Sequence, residues 1–465
     1  MKPTALKIFG TLIIFLLIFS CNSTDNVEWA KQGGGESYDG GRGLVLDSRG
    51  NVYVIGRFQG SALFDNKTIT GKGDDGIFLV KYNPDGKLLW AKESGGKKED
   101  SGYSIDVDSH DNIYVTGYFA DTAFFDTHTM VSKGESDAFL AKYDTAGNVL
   151  WVKQAGGNFN DVGRGVGTDA AGNCYMVGFF SGTIYLDTIQ LTSTGLHEDM
   201  FISSYDAEGN ILWAKNVGGT GDTRPAALAA DKQGNFFITG FFKGIAAFDS
   251  IKLISSGQSD MFTAMFDKNG KAVWANQGGG TSSDEARGIA IDEQNNVYST
   301  GFFLYEIKFD ASKPIELASK GDNDIFIVKY DATGILQWAQ QAGGQGLDQG
   351  SDVTAMNASG CVVTGFFEKT ANFGDSLITS VGNRDIFVAH YSSDGKLCSL
   401  IKAGGNGSDE GRSVKEDGKK NIYLTGNYNG KLRIGAIELP ESRGDGDIFI
   451  SKFADKCVEN TKTKK

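Results

Sequence analysis

The sequence predicts an all-β fold, a seven-bladed β-propeller built of four-stranded antiparallel blades and closed into a ring by its N-terminal strand. Three observations lead there. The stretch Trp90-Ala91-Lys92-Glu93-Ser94-Gly95-Gly96 recurs with its tryptophan at Trp29, Trp90, Trp151, Trp213, Trp274 and Trp338, in steps of 61, 61, 62, 61 and 64 residues. A seventh copy falls 61 residues further on with Ser399 in the tryptophan slot. A unit of that length repeated without helical periodicity is an array of small sheets. Second, each unit divides into two hairpins, and four strands per unit make a propeller blade. Third, the last unit lacks a fourth strand, whereas the chain begins with one, residues 27–32, that belongs to no earlier unit. Supplying one end to the other closes the ring and leaves no unpaired edge at the seam.

At the N-terminus, Lys2 and Lys7 lead into an apolar run over residues 8–19, followed by Ser20 and Cys21. That run is too short to cross a bilayer, which takes about 20 residues, so the segment reads as a cleaved export leader. Ile18-Phe19-Ser20-Cys21 resembles a bacterial lipobox, which implies lipidation of Cys21 and a stable membrane anchor. Asn22 stands where an Asp would resemble an inner-membrane retention signal, so the resemblance points to the outer membrane. The expected organisation is a leader over 1–21, a tether over 22–26, a single propeller over 27–455 and a Lys-rich tail over 456–465.

The first complete unit runs into Val45-Leu46-Asp47, turns at Ser48-Arg49-Gly50 and returns over residues 51–58. A long excursion over 59–76 follows, and then a second hairpin that turns at Asn83-Pro84-Asp85-Gly86 and returns through Trp90. The second strand keeps a glycine in every unit: Gly56, Gly117, Gly178, Gly240, Gly301, Gly365 and Gly426. The third keeps a phenylalanine: Phe78, Phe139, Phe201, Phe262, Phe326, Phe387 and Phe449. Within strands these imply close backbone approach and packing between blades, not a site. Cys174, Cys361, Cys398 and Cys457 show no CxxC spacing and are expected as small core residues rather than ligands or disulfides.

The patterns Asp-x-x-Gly-Asn-x-Tyr-x-x-Gly-x-Phe, from Asp108, and Asp-x-Phe-x-x-Lys-Tyr-Asp-x-x-Gly-x-x-x-Trp, from Asp137, resemble the SBBP β-propeller repeat of bacterial exported proteins. The resemblance covers essentially the whole chain after Cys21. It implies a cell-surface or secreted location and no common reaction. The stretch from Ala141 to Trp151 is also similar to the tryptophan-docking motif of quinoprotein-type propellers, but its Asp-to-Gly step is one residue short and there is no vicinal cysteine pair. Quinone-dependent oxidation is therefore not expected. Non-enzymatic members of that group, lipoprotein scaffolds of the outer-membrane barrel-assembly machinery, make an assembly role an alternative.

Strand order gives the ring two faces, with short turns on one and long excursions and inter-blade connections on the other, where variable loops on a rigid scaffold carry function. The Lys-rich tail and the tether leave from the short-turn side, so that face is expected to look at the membrane. On the long-loop side an aspartate recurs as Asp39, Asp100, Asp161, Asp222, Asp284, Asp348 and Asp409, with arginine three residues later as Arg42, Arg164, Arg287 and Arg412. These form the candidate ligand ring. It could take Ca²⁺ or a polar ligand, or its carboxylates could bond turn amides and pair with the arginines. The repeat is broken at Arg224 with Pro225, in the longer excursion after Tyr305, near Asn357 and at Ser399. His128 and His197, on the excursions of adjacent units, are the weak metal candidates. No HExxH, GxSxG or phosphate-cradling loop is present, and a net charge of −13 argues against nucleic acid. The expected function is a non-catalytic module that binds an envelope protein or a surface glycan. Alternatives are a scaffold subunit of an envelope complex and an enzyme acting on extracellular polysaccharide, which would need paired acids.

Overall fold

The computed structural model describes residues 27–309, 313–357, 359–455 and 457. The expected leader with Cys21, the expected tether and the expected tail apart from Cys457 lie outside the described residues. Every named element is a β-strand. Turn chemistry explains where the strands begin. Asp47 accepts from the amides of Arg49 and Asn51 on one oxygen, at 3.0 and 2.8 Å, and from Asn51 Nδ2 and the Tyr53 hydroxyl on the other, at 2.7 and 3.1 Å. Asp-x-x-Gly-Asn-x-Tyr is thus a turn pinned by its own first side chain, and Asp108 and Asp169 repeat it.

In the second unit Ser101–Val107, Ile113–Phe119, Asp137–Tyr143 and Val149–Gly157 pair antiparallel in that order. The sheet goes further than the four strands expected. The excursion of the next unit folds into a short hairpin, Thr183–Leu186 with Ile189–Thr192, and its first strand pairs with the end of Val149–Gly157. Five of the sheets are accordingly six-stranded. The sixth is ten-stranded, because Val52–Phe64 and Lys67–Tyr82 run unbroken from the inner hairpin into the outer one. The Gly-Gly pair makes this extension possible: a Cβ on Gly157 would stand 1.9 Å from the Thr183 carbonyl oxygen, so only glycine lets the hairpin backbone approach.

Val27–Gly34 pairs antiparallel with Asp447–Ala454, in a register that sets Lys31 opposite Ile450 and Gln32 opposite Phe449. The inner strands Gly40–Leu46, Ser101–Val107, Val162–Thr168, Thr223–Ala230, Glu285–Ile291, Gln349–Met356 and Glu410–Glu416 touch one another in chain order, and the last touches the first. The third-strand phenylalanines are fully buried. Several pack at a tilt against the ring that the outer hairpin carries in, as Phe78 does against Phe64 at 5.2 Å and Phe139 against Phe125 at 4.9 Å.

Each tryptophan ties its unit to the next. The indole N–H donates to a carbonyl in the following unit's third-to-fourth-strand turn, Trp29 to Pro84 at 3.0 Å, Trp151 to Ala207 at 3.2 Å and Trp338 to Ser393 at 3.0 Å. Ser399 departs from this rule for a reason visible in the pairing. The seventh unit takes its fourth strand from Val27–Gly34, so no such turn exists to receive an indole. Ser399 instead donates to Asp455 at 3.1 Å, and His390 Nδ1 lies 2.8 Å from the same carboxylate. Beside them Cys398 forms a disulfide with Cys457, their Cα atoms 5.5 Å apart. This corrects the expectation of four core cysteines. Cys174 and Cys361 are buried and free, whereas Asp455 accepts from Ser399 in the tryptophan slot and Cys457 meets Cys398.

Candidate functional site

The recurring aspartates and arginines stand three residues apart in sequence and point to different places. Asp100 accepts from the amide of Gly96 at 2.6 Å and of Ala120 at 3.1 Å, which fastens the connection between units to the loop after the second strand. Asp39, Asp284, Asp348 and Asp409 repeat both bonds, and Asp161 keeps the first. All six are fully buried. Burial pushes Asp39, Asp100, Asp284, Asp348 and Asp409 up to about 7 against the pull of these amides. Asp161, buried and close to Asp137, reaches about 8. These bonds are those of the alternative in which the recurring aspartates hold backbone amides of the connections.

Asp222 is the exception. It is partly exposed and ion-paired with Lys243 at 2.9 Å, and His197 Nδ1 lies 3.9 Å from its other oxygen. Burial works upward on this carboxyl and is outweighed by Lys243 and the Glu198 amide, which leave it below its ordinary range. Arg224 pairs with Glu198 alongside. Among the described residues neither His128 nor His197 belongs to a set of three potential metal ligands. The set that does, His390 with Cys398 and Cys457, has both sulfurs committed to the disulfide.

The arginines face inward. Every inner strand carries a register shift opposite the second-strand glycine, as between Gly41 and Gly43 or between Gly163 and Gly165. A Cβ on Gly56 would stand 2.0 Å from the Gly40 carbonyl oxygen, and one on Gly117 1.9 Å from that of Ser101. The glycine therefore admits the bulge, and the bulge re-aims the extra residue. That residue is Arg42, Tyr103, Arg164, Ala226, Arg287, Ser351 or Arg412 in successive units. All seven line a cavity of about 500 Å³ bounded by the inner strands.

The cavity is not symmetric. Arg287 and Arg412 pair with Glu285 and Glu410 of their own strands. Arg42 and Arg164 have no carboxylate partner among the described residues, and their guanidiniums lie 4.6 and 4.4 Å from the ring centroid of Tyr103 between them. Burial, together with the neighbouring arginines, holds Arg42 below its ordinary value and brings Arg164 down to about 10. The acidic wall residues are engaged with adjacent strands, Asp106 with Thr168 at 2.8 Å and Asp352 with Ser413 at 2.8 Å. Burial raises Asp106 to about 6. Of the other arginines, Arg224 lies over Phe179 and Arg384 over Phe366. Tyr103 escaped the sequence reading, although it occupies the same slot as Arg42 and Arg164, 61 residues from each.

Residues 90–118 match the family model of the SBBP β-propeller repeat, so the chain carries that repeat. An uncharacterized WD repeat-containing protein of Acanthamoeba polyphaga mimivirus is 25% identical over 435 residues, which covers 75% of this chain and 31% of that protein. Regulatory protein FlaEY of Caulobacter vibrioides is 27% identical over 167 residues, 34% of this chain and 17% of its own length. The chain thus spans less than a third of either relative. Among solved structures, Sqt1 from Chaetomium thermophilum aligns over 93% of this chain and 99% of its own, with 10% identity and a TM-score of 0.45. A catalytically inactive virginiamycin B lyase from Staphylococcus aureus, solved with quinupristin, aligns over 91% and 99%, with 9% identity and a TM-score of 0.40.

Proposed function

We propose that the seven units form a closed seven-bladed β-propeller that is exported, anchored at the outer membrane through lipid on Cys21, and used as a non-catalytic binding module. It engages an envelope protein or a surface glycan through its long-loop face. The observation that carries this reading is the mouth of the inner cavity on that face, where inward bulges present arginines and an aromatic ring that break the repeat. Positions that recur from unit to unit, such as the six buried aspartates, hold the connections, and a binding site has to differ from its surroundings. The SBBP repeat and a relative named for WD repeats agree with an interaction module. The Cys398–Cys457 disulfide agrees with an oxidising compartment outside the cytoplasm. Photo-crosslinkers at exposed Phe159 and Tyr305, on the long-loop face, and at exposed Asp85, on the short-turn face, test the reading in intact cells. Capture from Phe159 and Tyr305 but not from Asp85 is expected, with an envelope protein favouring the scaffold form of the role. Capture that is equal on both faces, or absent, would contradict it.

A further inference from the structure

The two halves of the inner cavity differ in charge. Arg287 pairs with Glu285 and Arg412 with Glu410, which it shares with Arg384, and Ala226 and Ser351 add no charge. Arg42 and Arg164 remain, one from the unit before Tyr103 and one from the unit after it, both held on the same ring. Their separation is therefore no more than the sum of those two ring distances. The Nε of Arg42 is buried without a hydrogen-bond partner, and an orphaned buried donor of this kind costs about 1–3 kcal/mol until something accepts from it. Two like charges are thus held on one ring, partly dehydrated and without an ion-paired carboxylate among the described residues, the acidic wall residues Asp106 and Asp352 being engaged by Thr168 and by Ser413 with Lys415, in a chain whose net charge is −13.

A guanidinium presents its N–H groups as a planar fork that matches two oxygens of an oxyanion. Two forks held on one aromatic ring, neither of them ion-paired to a carboxylate among the described residues, offer donors to a group with several oxygens and two charges. We propose that Arg42 and Arg164 together bind a tetrahedral dianion, a phosphate or sulfate group, at the Tyr103 side of the cavity, with Tyr103 fixing the spacing of the two guanidiniums. This rests on the long-loop face being the binding face and names the group that enters it. The chain's own negative field opposes approach of such a group from a distance, so recognition lies in the short-range contacts and weakens with added salt.

Isothermal titration of the purified protein with inorganic phosphate, inorganic sulfate and glucose 6-phosphate, at constant ionic strength with nitrate as the monoanionic control, tests the proposal. Phosphate or sulfate is expected to bind and nitrate not. Tighter binding of glucose 6-phosphate would place the group on a larger ligand, and equal binding would identify the free ion. Arg42→Gln with Arg164→Gln is expected to weaken binding at least tenfold. Arg42→Lys, which keeps the charge but loses the fork, should fall in between, and Arg433→Gln on the outer hairpin should bind as the parent does. Far-ultraviolet circular dichroism of each variant separates lost binding from lost folding. No binding of any dianion by the parent, or the same affinity in the doubly substituted protein, would overturn the proposal. If crosslinking at Phe159 and Tyr305 still captures a partner, only this inference falls; if that capture fails as well, the binding-face reading falls with it.

Discussion

A single buried aspartate shows how the repeat uses chemistry that looks functional in sequence. Asp100 is invisible to solvent, takes two backbone amides and is pushed up to about 7 by its burial. In the unfolded chain the same carboxyl titrates near 4, so the folded state binds the extra proton between those values. Stability from such groups is fully present below about pH 4 and is lost as the pH rises through about 7, or about 8 for Asp161. Six units carry a buried aspartate whose carboxyl is raised in this way, so the effects accumulate. The melting temperature is predicted to be higher at pH 5 than at pH 8.5, and a flat or rising profile across that window would count against neutral clamps. The carboxylates of Asp47 and Asp108 act in the opposite sense, below their ordinary range, and affect stability only at more acid pH. The sequence could show that an aspartate recurs at each connection. It could not show that Arg42, three residues on, points elsewhere, because the bulge between Gly41 and Gly43 adds a residue to the strand without any mark in composition.

At the scale of the strand and the sheet, the tryptophan dock is the joint between neighbouring units, and Ser399 marks the one place where the joint is made differently. Ser399→Trp, which restores the repeat in sequence, is predicted to lower stability. The indole would meet no receiving carbonyl, and it would displace the hydrogen bond to Asp455 and crowd the Cys398–Cys457 bridge. Cys457→Ser is predicted to cost about 2–4 kcal/mol, the usual effect of losing a bridge across a loop of this size. Chemical denaturation of both variants checks these outcomes, and a Ser399→Trp protein more stable than the parent would contradict the account. The hairpins themselves were legible because their turns repeat Asp-x-x-Gly-Asn with a fixed period. The outer hairpin was not. Its pairing partner, the end of Val149–Gly157 in the case of Thr183–Leu186, lies in the previous unit, and the glycine pair that admits it reads equally well as a flexible connection. The disulfide was hidden for a related reason, since only the missing turn of the seventh unit brings Cys457 across to Cys398.

For the whole molecule, closure decides whether there is an inner cavity at all. The contact between Glu410–Glu416 and Gly40–Leu46 brings the Arg412 and Arg42 strands side by side, and the pairing of Val27–Gly34 with Asp447–Ala454 holds that contact in place. An open array would leave Arg42 at an edge instead of facing a wall. The complementary chain ends are the feature in the sequence that suggests closure, whereas the uneven charge of the cavity depends on bulges and on ion pairs within one strand, such as Arg287 with Glu285. Hydrogen–deuterium exchange across residues 27–34 is the most direct measurement of closure. The account predicts protection there as deep as in residues 447–454 and in the inner strands. Exchange over residues 27–34 as fast as in the exposed turn around Asp85, with residues 447–454 still protected, would show an open seam and contradict the ring.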